Sequence, residues 1–434
     1  MKALRTIFFW LHLAAGLIAG LAIAIMSFTG VVLAFEDEIV AWSERDARRV
    51  EVPADPAAAR LPLAELQRRV REAHPDLRSP GVTVSNDPGA AVVFSAGRES
   101  GYYVNPYTGE IRQPASTAVH DFMDVMVDWH RYLALAGESR PIGKAINGAC
   151  NLAFLFLAVS GLYLWWPRSW SWRGVKAVAA FNWRLTGKAR DFNWHNSIGL
   201  WTAPILIVLT LTAVPISYRW GGNLIYRLVG EEPPAQGAGP GAAAAPVVEI
   251  QRPSPDARPI AWDDVLARVQ QEHPSWTQVT IRSGGGRSQR PPQPAAQAPS
   301  ENSAAQTAPA GDPAATPRIE NRESRIENRN QPLTVTVREA GSWPRTATTT
   351  LTLNPFSGDA LRREGFADLS TARQIRSWTR FFHTGQALGW GGQLVAGLAC
   401  LGGLFLVYTG VALSWRRFFR RGSSRIVTVE SDGR

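Results

Sequence analysis

Residues 7–35 read IFFWLHLAAGLIAGLAIAIMSFTGVVLAF, an apolar run preceded by Lys2 and Arg5. A bilayer core takes about 20 apolar residues of helix, so this stretch is long enough to cross one. It is too long for the apolar core of a signal peptide and lacks a clear small-residue cleavage motif at its end, which predicts a retained anchor. Three further runs have the same character: 142–166, 197–220 and 388–415. The fold class they predict is an α-helical membrane protein with four transmembrane helices. The overall 45 % hydrophobic content looks globular only because these runs are averaged with polar, Pro- and Gly-rich stretches. Many of the 17 tryptophans lie at the ends of the runs, as in an interfacial belt. Two cysteines make neither a disulfide scaffold nor a CxxC metal site, and no Walker or dinucleotide glycine fingerprint is present.

The chain has 434 residues and a net charge of +10. A basic balance first suggests nucleic acid, but its placement argues otherwise. Lys2 and Arg5 precede span one; Arg168, Arg173, Lys176, Arg184, Lys188 and Arg190 lie between spans two and three; Arg416, Arg417, Arg420, Arg421, Arg425 and Arg434 follow span four. Only Asp191, Glu430 and Asp432 oppose them there. That is the positive-inside pattern, so both termini are expected in the cytoplasm and no nucleic-acid partner is expected. The predicted organisation is span one at 1–35, a periplasmic domain at 36–141, span two at 142–166, a cytoplasmic loop at 167–196 and span three at 197–220. A second periplasmic domain at 221–387, span four at 388–415 and a cytoplasmic tail at 416–434 complete it.

The two outer connections repeat each other. Leu63, Leu66, Val70 and Ala73 fall at helical spacing before His74-Pro75, and Trp262, Val265, Leu266 and Val269 do so before His273-Pro274. Strand-like segments follow in each: Val82–Val84, Ala91–Phe94 and Tyr102–Val104 in the first, Val279–Ile281, Leu333–Val337 and Thr348–Leu353 in the second. Each unit is expected to form its own α+β domain, its sheet closing on Asn105-Pro106-Tyr107-Thr108-Gly109 or on Asn354-Pro355-Phe356-Ser357-Gly358. In such a turn Pro presets φ and Gly accepts a positive one. Residues 283–331, rich in Pro, Ala, Gln, Asn and Arg, read as a disordered insertion, and 233–246 as a flexible link.

On these paired units, on SGLYLWWPR at 160–168 and on DFNWHNSIGLW at 191–201, the chain resembles the PepSY-associated transmembrane proteins, also called iron-regulated membrane proteins. The resemblance covers nearly the whole chain except the insertion. It implies two periplasmic PepSY-like domains related by internal duplication, in the bacterial inner membrane. Members include reductases that take iron out of ferric siderophores, and the layout is similar to the ferrioxamine-reductase type.

Four of the seven histidines form two sets. His12 in span one and His195 before span three are expected at the cytoplasmic face; His130 before span two and His383 before span four, at the periplasmic face. Gly16 and Gly199 each follow their histidine by four residues, while Ala134-Leu135 and Ala387-Leu388 follow the outer pair at one shared offset. An ionisable residue in a membrane span costs roughly 2.5 kcal/mol or more if charged and marks a functional candidate. Neutral imidazole is an axial ligand of haem iron, and two histidines on facing helices at one depth give bis-histidine ligation. The expectation is two b-type haems, one between His12 and His195, one between His130 and His383. His12, Gly16 and Gly20 share a helix face, leaving room for a flat macrocycle; the plain structural reading is that these glycines pack helices. His120 is the fallback outer ligand. His74 and His273 read as helix-end structural residues, and Cys150 and Cys400 as small apolar filler. Arg131 and Arg380 outside, and Arg5 or Arg190 inside, are candidates for meeting haem propionates, although such arginines more often anchor helices.

Electrons are then expected to pass from the cytoplasmic to the periplasmic haem and to reduce a ferric siderophore. With no flavin or nicotinamide motif, the donor is a separate partner, a quinol or a cytoplasmic reductase. Two readings compete: a haem-free PepSY regulatory or binding protein, and a siderophore transporter. Four spans without a broken-helix pair at the midplane disfavour the transporter, although Pro204 and Pro215 can kink span three.

Overall fold

The computed structural model describes residues 2–419 except 56–58, 76, 78–80, 96–100, 115, 167–170, 236–249, 251, 255 and 284–330. In chain order the elements are α1 (Lys2–Leu33), α2 (Glu36–Ser43), α3 (Arg45–Arg48), α4 (Leu63–Ala73), β1 (Gly81–Ser85), β2 (Val92–Ser95), β3 (Tyr102–Val104), β4 (Ile111–Arg112) and α5 (Ala118–Tyr132). There follow α6 (Arg140–Trp165), α7 (Trp172–Ala179), α8 (Gly187–Ser217), α9 (Arg219–Leu228), α10 (Trp262–Glu272), β5 (Trp276–Ser283), β6 (Leu333–Glu339), β7 (Thr349–Leu353), β8 (Ala360–Glu364), α11 (Thr371–His383) and α12 (Trp390–Phe418). Most of the segments read as insertion and flexible link, Arg168 and the tail from Arg420 lie outside the described residues.

Among the described residues, four helices are long and apolar enough to cross a membrane: α1, α6 with the turn before it, α8 and α12. They pack through small residues. Ala19, Ile23 and Met26 of α1 form one buried cluster, and Ala158, Leu206, Leu209, Ala396 and Ala399 join α6, α8 and α12 in another. In lipid, where apolar burial does not drive association, close approach and dispersion do this work. One boundary differs from the sequence reading. The helix of span three begins at Gly187, not near Ser197, because its polar first turns find partners: Asn193 donates to the carbonyls of Ala177 and Ala180, and Asp191 meets Arg416. The helix continues through Pro204 and Pro215 to Ser217, and α9 begins two residues later.

The outer units do not form separate sheets. β1 pairs antiparallel with β5, Val82 opposite Ile281 and Thr83 opposite Thr280, giving one eight-stranded sheet of order β4-β3-β2-β1-β5-β6-β7-β8. Left apart, β1 and β5 would each expose an unpaired edge. One sheet face carries Val82, Val84, Phe94, Val104, Val279, Ile281, Val335, Val337, Leu351 and Leu353, buried under Leu66 and Val70 of α4 and Val265 and Val269 of α10. Burying each such side chain contributes about 1.5–3 kcal/mol. The Asp263 carboxylate of α10 accepts from the backbone N–H of Leu63 (2.6 Å) and Ala64 (3.0 Å), capping α4 across the seam. Both Asn-Pro turns form as expected. The Asn105 and Asn354 side chains accept from the N–H two residues on, and Gly109 and Gly358 take φ of 75° and 73°.

Helices α5 and α11 lead from the sheet into the end of the bundle and close with His130 and His383. Tight turns then reverse the chain into α6 and α12.

Candidate functional site: two histidine pairs

The two histidine sets expected from the sequence come together as two pairs. His12 of α1 faces His195 of α8 with ring centres 6.5 Å apart and planes at 81°. His130 of α5 faces His383 of α11 at 6.2 Å and 54°. From His12 to Thr29, which holds His130, α1 climbs about 25 Å at roughly 1.5 Å per residue. From His195 to Leu209, which holds His383, α8 climbs about 21 Å. The pairs therefore stand near opposite ends of the bundle.

Each ring is fixed through Nδ1. His12 meets Ser160 Oγ at 2.8 Å, His130 meets Thr29 Oγ1 at 2.8 Å, His195 meets Thr409 Oγ1 at 2.9 Å, and His383 meets the Leu209 carbonyl at 2.9 Å. A carbonyl only accepts, so His383 carries its proton on Nδ1. Two hydroxyls give the same answer. Thr29 donates to the Ile25 carbonyl (2.7 Å) and Thr409 to that of Phe405 (2.8 Å), so each accepts from its imidazole. His130, His195 and His383 thus present an unprotonated Nε2, for which no hydrogen bond is found among the described residues. The pattern is that of metal-ligating histidine, whose second nitrogen is held by an outer partner.

The spacing fits one ion between the rings of each pair. With metal–nitrogen bonds of about 2.0–2.1 Å and about 1.1 Å from nitrogen to ring centre, opposed imidazoles have centres roughly 6.2–6.4 Å apart. A direct hydrogen bond of about 2.9 Å between two rings would bring the centres to about 5.1 Å. Among the described residues no cluster of three or more His, Cys, Asp or Glu could hold a bare metal ion. Two ligands suit a haem, which brings the other four itself. The paired imidazoles, in spacing and in tautomer, fit that group.

Glycines stand beside three of the rings. A Cβ on Gly161 would lie 3.4 Å from His12 Cε1, on Gly410 3.6 Å from His195 Cε1, and on Gly30 3.6 Å from His130 Cε1, ordinary contact distances that make these residues neighbours of the imidazoles. Gly16 and Gly199 face Leu157 and Leu406, and Gly20 faces Val407, at similar distances. Three residue pairs therefore escaped sequence reasoning: Thr29-Gly30, Ser160-Gly161 and Thr409-Gly410. The signal was a Ser/Thr-Gly dipeptide inside three of the spans.

A family model described as the PepSY-associated TM region matches residues 9–417. The chain belongs to this family. A comparison with curated proteins finds none that matches. All four paired histidines of this PepSY-associated membrane protein, with the groups that hold them, lie inside the matched segment.

The remaining candidates fall elsewhere in the PepSY-associated fold. His120 is not available as an outer ligand: its Nε2 lies 2.7 Å from Glu44 Oε1. That carboxylate, its side chain 1 % exposed, also accepts from Arg48 and from the Tyr103 hydroxyl. Burial pushes Glu44 up, but the hydrogen bonds from His120, Tyr103 and Arg48 outweigh it and hold the group below its ordinary value. Burial and the Glu44 carboxylate push the Tyr103 hydroxyl up. His74 stacks on Tyr102 at 3.9 Å, and His273 Nδ1 approaches Glu339 at 3.3 Å, both in the sheet unit. Cys150 and Cys400 are free thiols within α6 and α12. Arg5 donates to the Leu164 and Trp166 carbonyls at the end of α6, an anchoring contact. Arg190 pairs with Asp191, which is 2 % exposed and also meets Arg416 at 3.0 Å, one helical turn before His195. The sequence shows Arg416 only as one of the basic residues after span four, with nothing to link it to Asp191. Arg131 lies over the Tyr132 ring.

Proposed function

We propose that this protein is an oxidoreductase of the bacterial inner membrane that carries electrons across the bilayer and reduces ferric siderophores, releasing Fe(II). Its cofactors are two b-type haems, one ligated by His12 and His195, the other by His130 and His383. The single observation that carries the reading is the two couples of imidazoles, with ring centres 6.5 and 6.2 Å apart and each Nδ1 held by a partner. Held between the histidines of each pair, a haem would supply a one-electron couple suited to electron transfer.

The chain's own residues do the rest. Thr29, Thr409 and the Leu209 carbonyl hold their imidazoles in the ligating tautomer, and Ser160 orients the His12 ring. Gly161, Gly410 and Gly30 lie beside the rings of His12, His195 and His130. The basic residues at the end away from the sheet put that end in the cytoplasm, and the sheet, formed by two duplicated PepSY-like units, in the periplasm. Reduction lowers the charge on the siderophore-bound iron, so hard oxygen ligands hold it less tightly. The electron donor is a separate quinol or cytoplasmic reductase.

The test is anaerobic mixing of the purified, pre-reduced protein with a panel of ferric siderophores, following the visible spectrum and trapping Fe(II). Reoxidation matched by Fe(II) release supports the reading. A coloured protein that no ferric siderophore reoxidises removes the substrate assignment, and a colourless one removes the cofactors and favours a haem-free PepSY binding protein.

A further inference from the structure

The sheet meets the helical bundle through the loop between β6 and β7, which touches α11 and the residue before α12. Trp343 in this loop is 62 % exposed, and its ring lies 5.6 Å from that of Trp378, which stacks at 5.4 Å on Phe382, itself 42 % exposed. The same loop reaches the first residue of a span. A Cβ on Gly389, immediately before α12, would lie 2.9 Å from the Arg345 guanidinium. Leu388 and Trp390 beside it are 65 % and 63 % exposed. One loop thus carries the exposed Trp343, packed with Trp378 and Phe382, and reaches through Arg345 to Gly389, between the exposed Leu388 and Trp390 at the start of α12, a helix of membrane-crossing length and apolarity. The other end of the same strands differs. There β7 turns into β8 through Asn354–Asp359, with Ser357 and Asp359 exposed.

We infer that the β6–β7 loop is a membrane-interface anchor, with Trp343, Leu388 and Trp390 seated at the headgroup–acyl boundary of the leaflet on the sheet side and Arg345 at the lipid phosphates. Tryptophan favours that depth because its ring is apolar and its N–H stays wet. Arginine can lay its stem along the apolar surface and keep its charge in the headgroups. The occupant is lipid because the loop touches the first residues of α12, a helix long and apolar enough to span a bilayer, where exposed Leu388 and Trp390 stand. The anchor holds α11, and so His383, at a fixed depth. It does not depend on any cofactor.

A nitroxide attached at Trp343→Cys, in nanodiscs of phosphatidylethanolamine and phosphatidylglycerol, tests this. The unsubstituted protein provides the background from Cys150 and Cys400, and Ser357→Cys marks the far end of the strands. The expected result is a several-fold higher ratio of relaxation by oxygen to relaxation by a water-soluble nickel chelate at 343 than at 357. Equal ratios overturn the anchor, as does a label at 343 shielded from both reagents, which would mean a protein contact. A label-free measurement guards against damage from the substitution. Lipids brominated near the headgroup should quench less of the tryptophan fluorescence in Trp343→Leu than in the unsubstituted protein, and unchanged quenching overturns the inference.

Discussion

Thr409 decides which nitrogen of His195 carries the proton, because its own hydroxyl hydrogen is committed to the Phe405 carbonyl. Thr409→Val keeps the shape and removes the acceptor. It should weaken retention of the haem at His12 and His195 about 10–100-fold, as loss of an outer partner does at other metal sites, while Thr409→Ser should largely restore it; haem content after dilution reads both. Glu44 makes a separate prediction. Its folded pKa is lowered below 4.5, so the stability it contributes is present above that value and is lost as pH falls through the folded one. Glu44→Gln should cost about 1–3 kcal/mol near neutral pH, and the gap to the unsubstituted protein should close in acid; thermal unfolding against pH measures it. The four paired histidines were legible because His12 is an ionisable residue inside an apolar run, the other three stand shortly before such runs, and the residues after them repeat. Ser160, Thr29 and Thr409 were not, because a hydroxyl in a span ordinarily bonds its own helix and nothing local reveals a second partner.

At the scale of elements, the positions of the rings at the sheet end depend on two reversals of the chain. Leu133 and Ala134 both take positive φ, 52° and 58°, directly after α5, and Gly385 takes 74° after α11. The approach is close: a Cβ on Gly143 would run into the Tyr132 carbonyl, and one on Gly392 into the Gly385 carbonyl. Gly143→Ala or Gly392→Ala should therefore open its turn and cost the haem at His130 and His383, leaving the other bound; spectra of the two variants decide it. The helices and strands were largely readable from period and turn chemistry. The pairing of β1 with β5 was not, since each strand's alternation specifies a face and not a neighbour. The early start of α8 was hidden for a related reason: hydropathy cannot foresee that Asp191 and Asn193 find partners on other elements.

At the scale of the whole molecule, one sheet spans both outer units and two histidine pairs lie roughly 21–25 Å apart along the bundle. That separation makes the pairs independent. His12→Ala or His195→Ala should remove one haem and leave the other's spectrum unchanged, and His130→Ala or His383→Ala the reverse. Replacing His130 with both haems retained would refute the pairing. The most direct measurement is the haem content of the purified, unsubstituted chain, read from the pyridine haemochrome against protein concentration. The expected result is two b-type haems per chain, reducible by dithionite and low-spin; a protein purified with haem freely supplied that carries none would contradict the histidine pairs as haem sites.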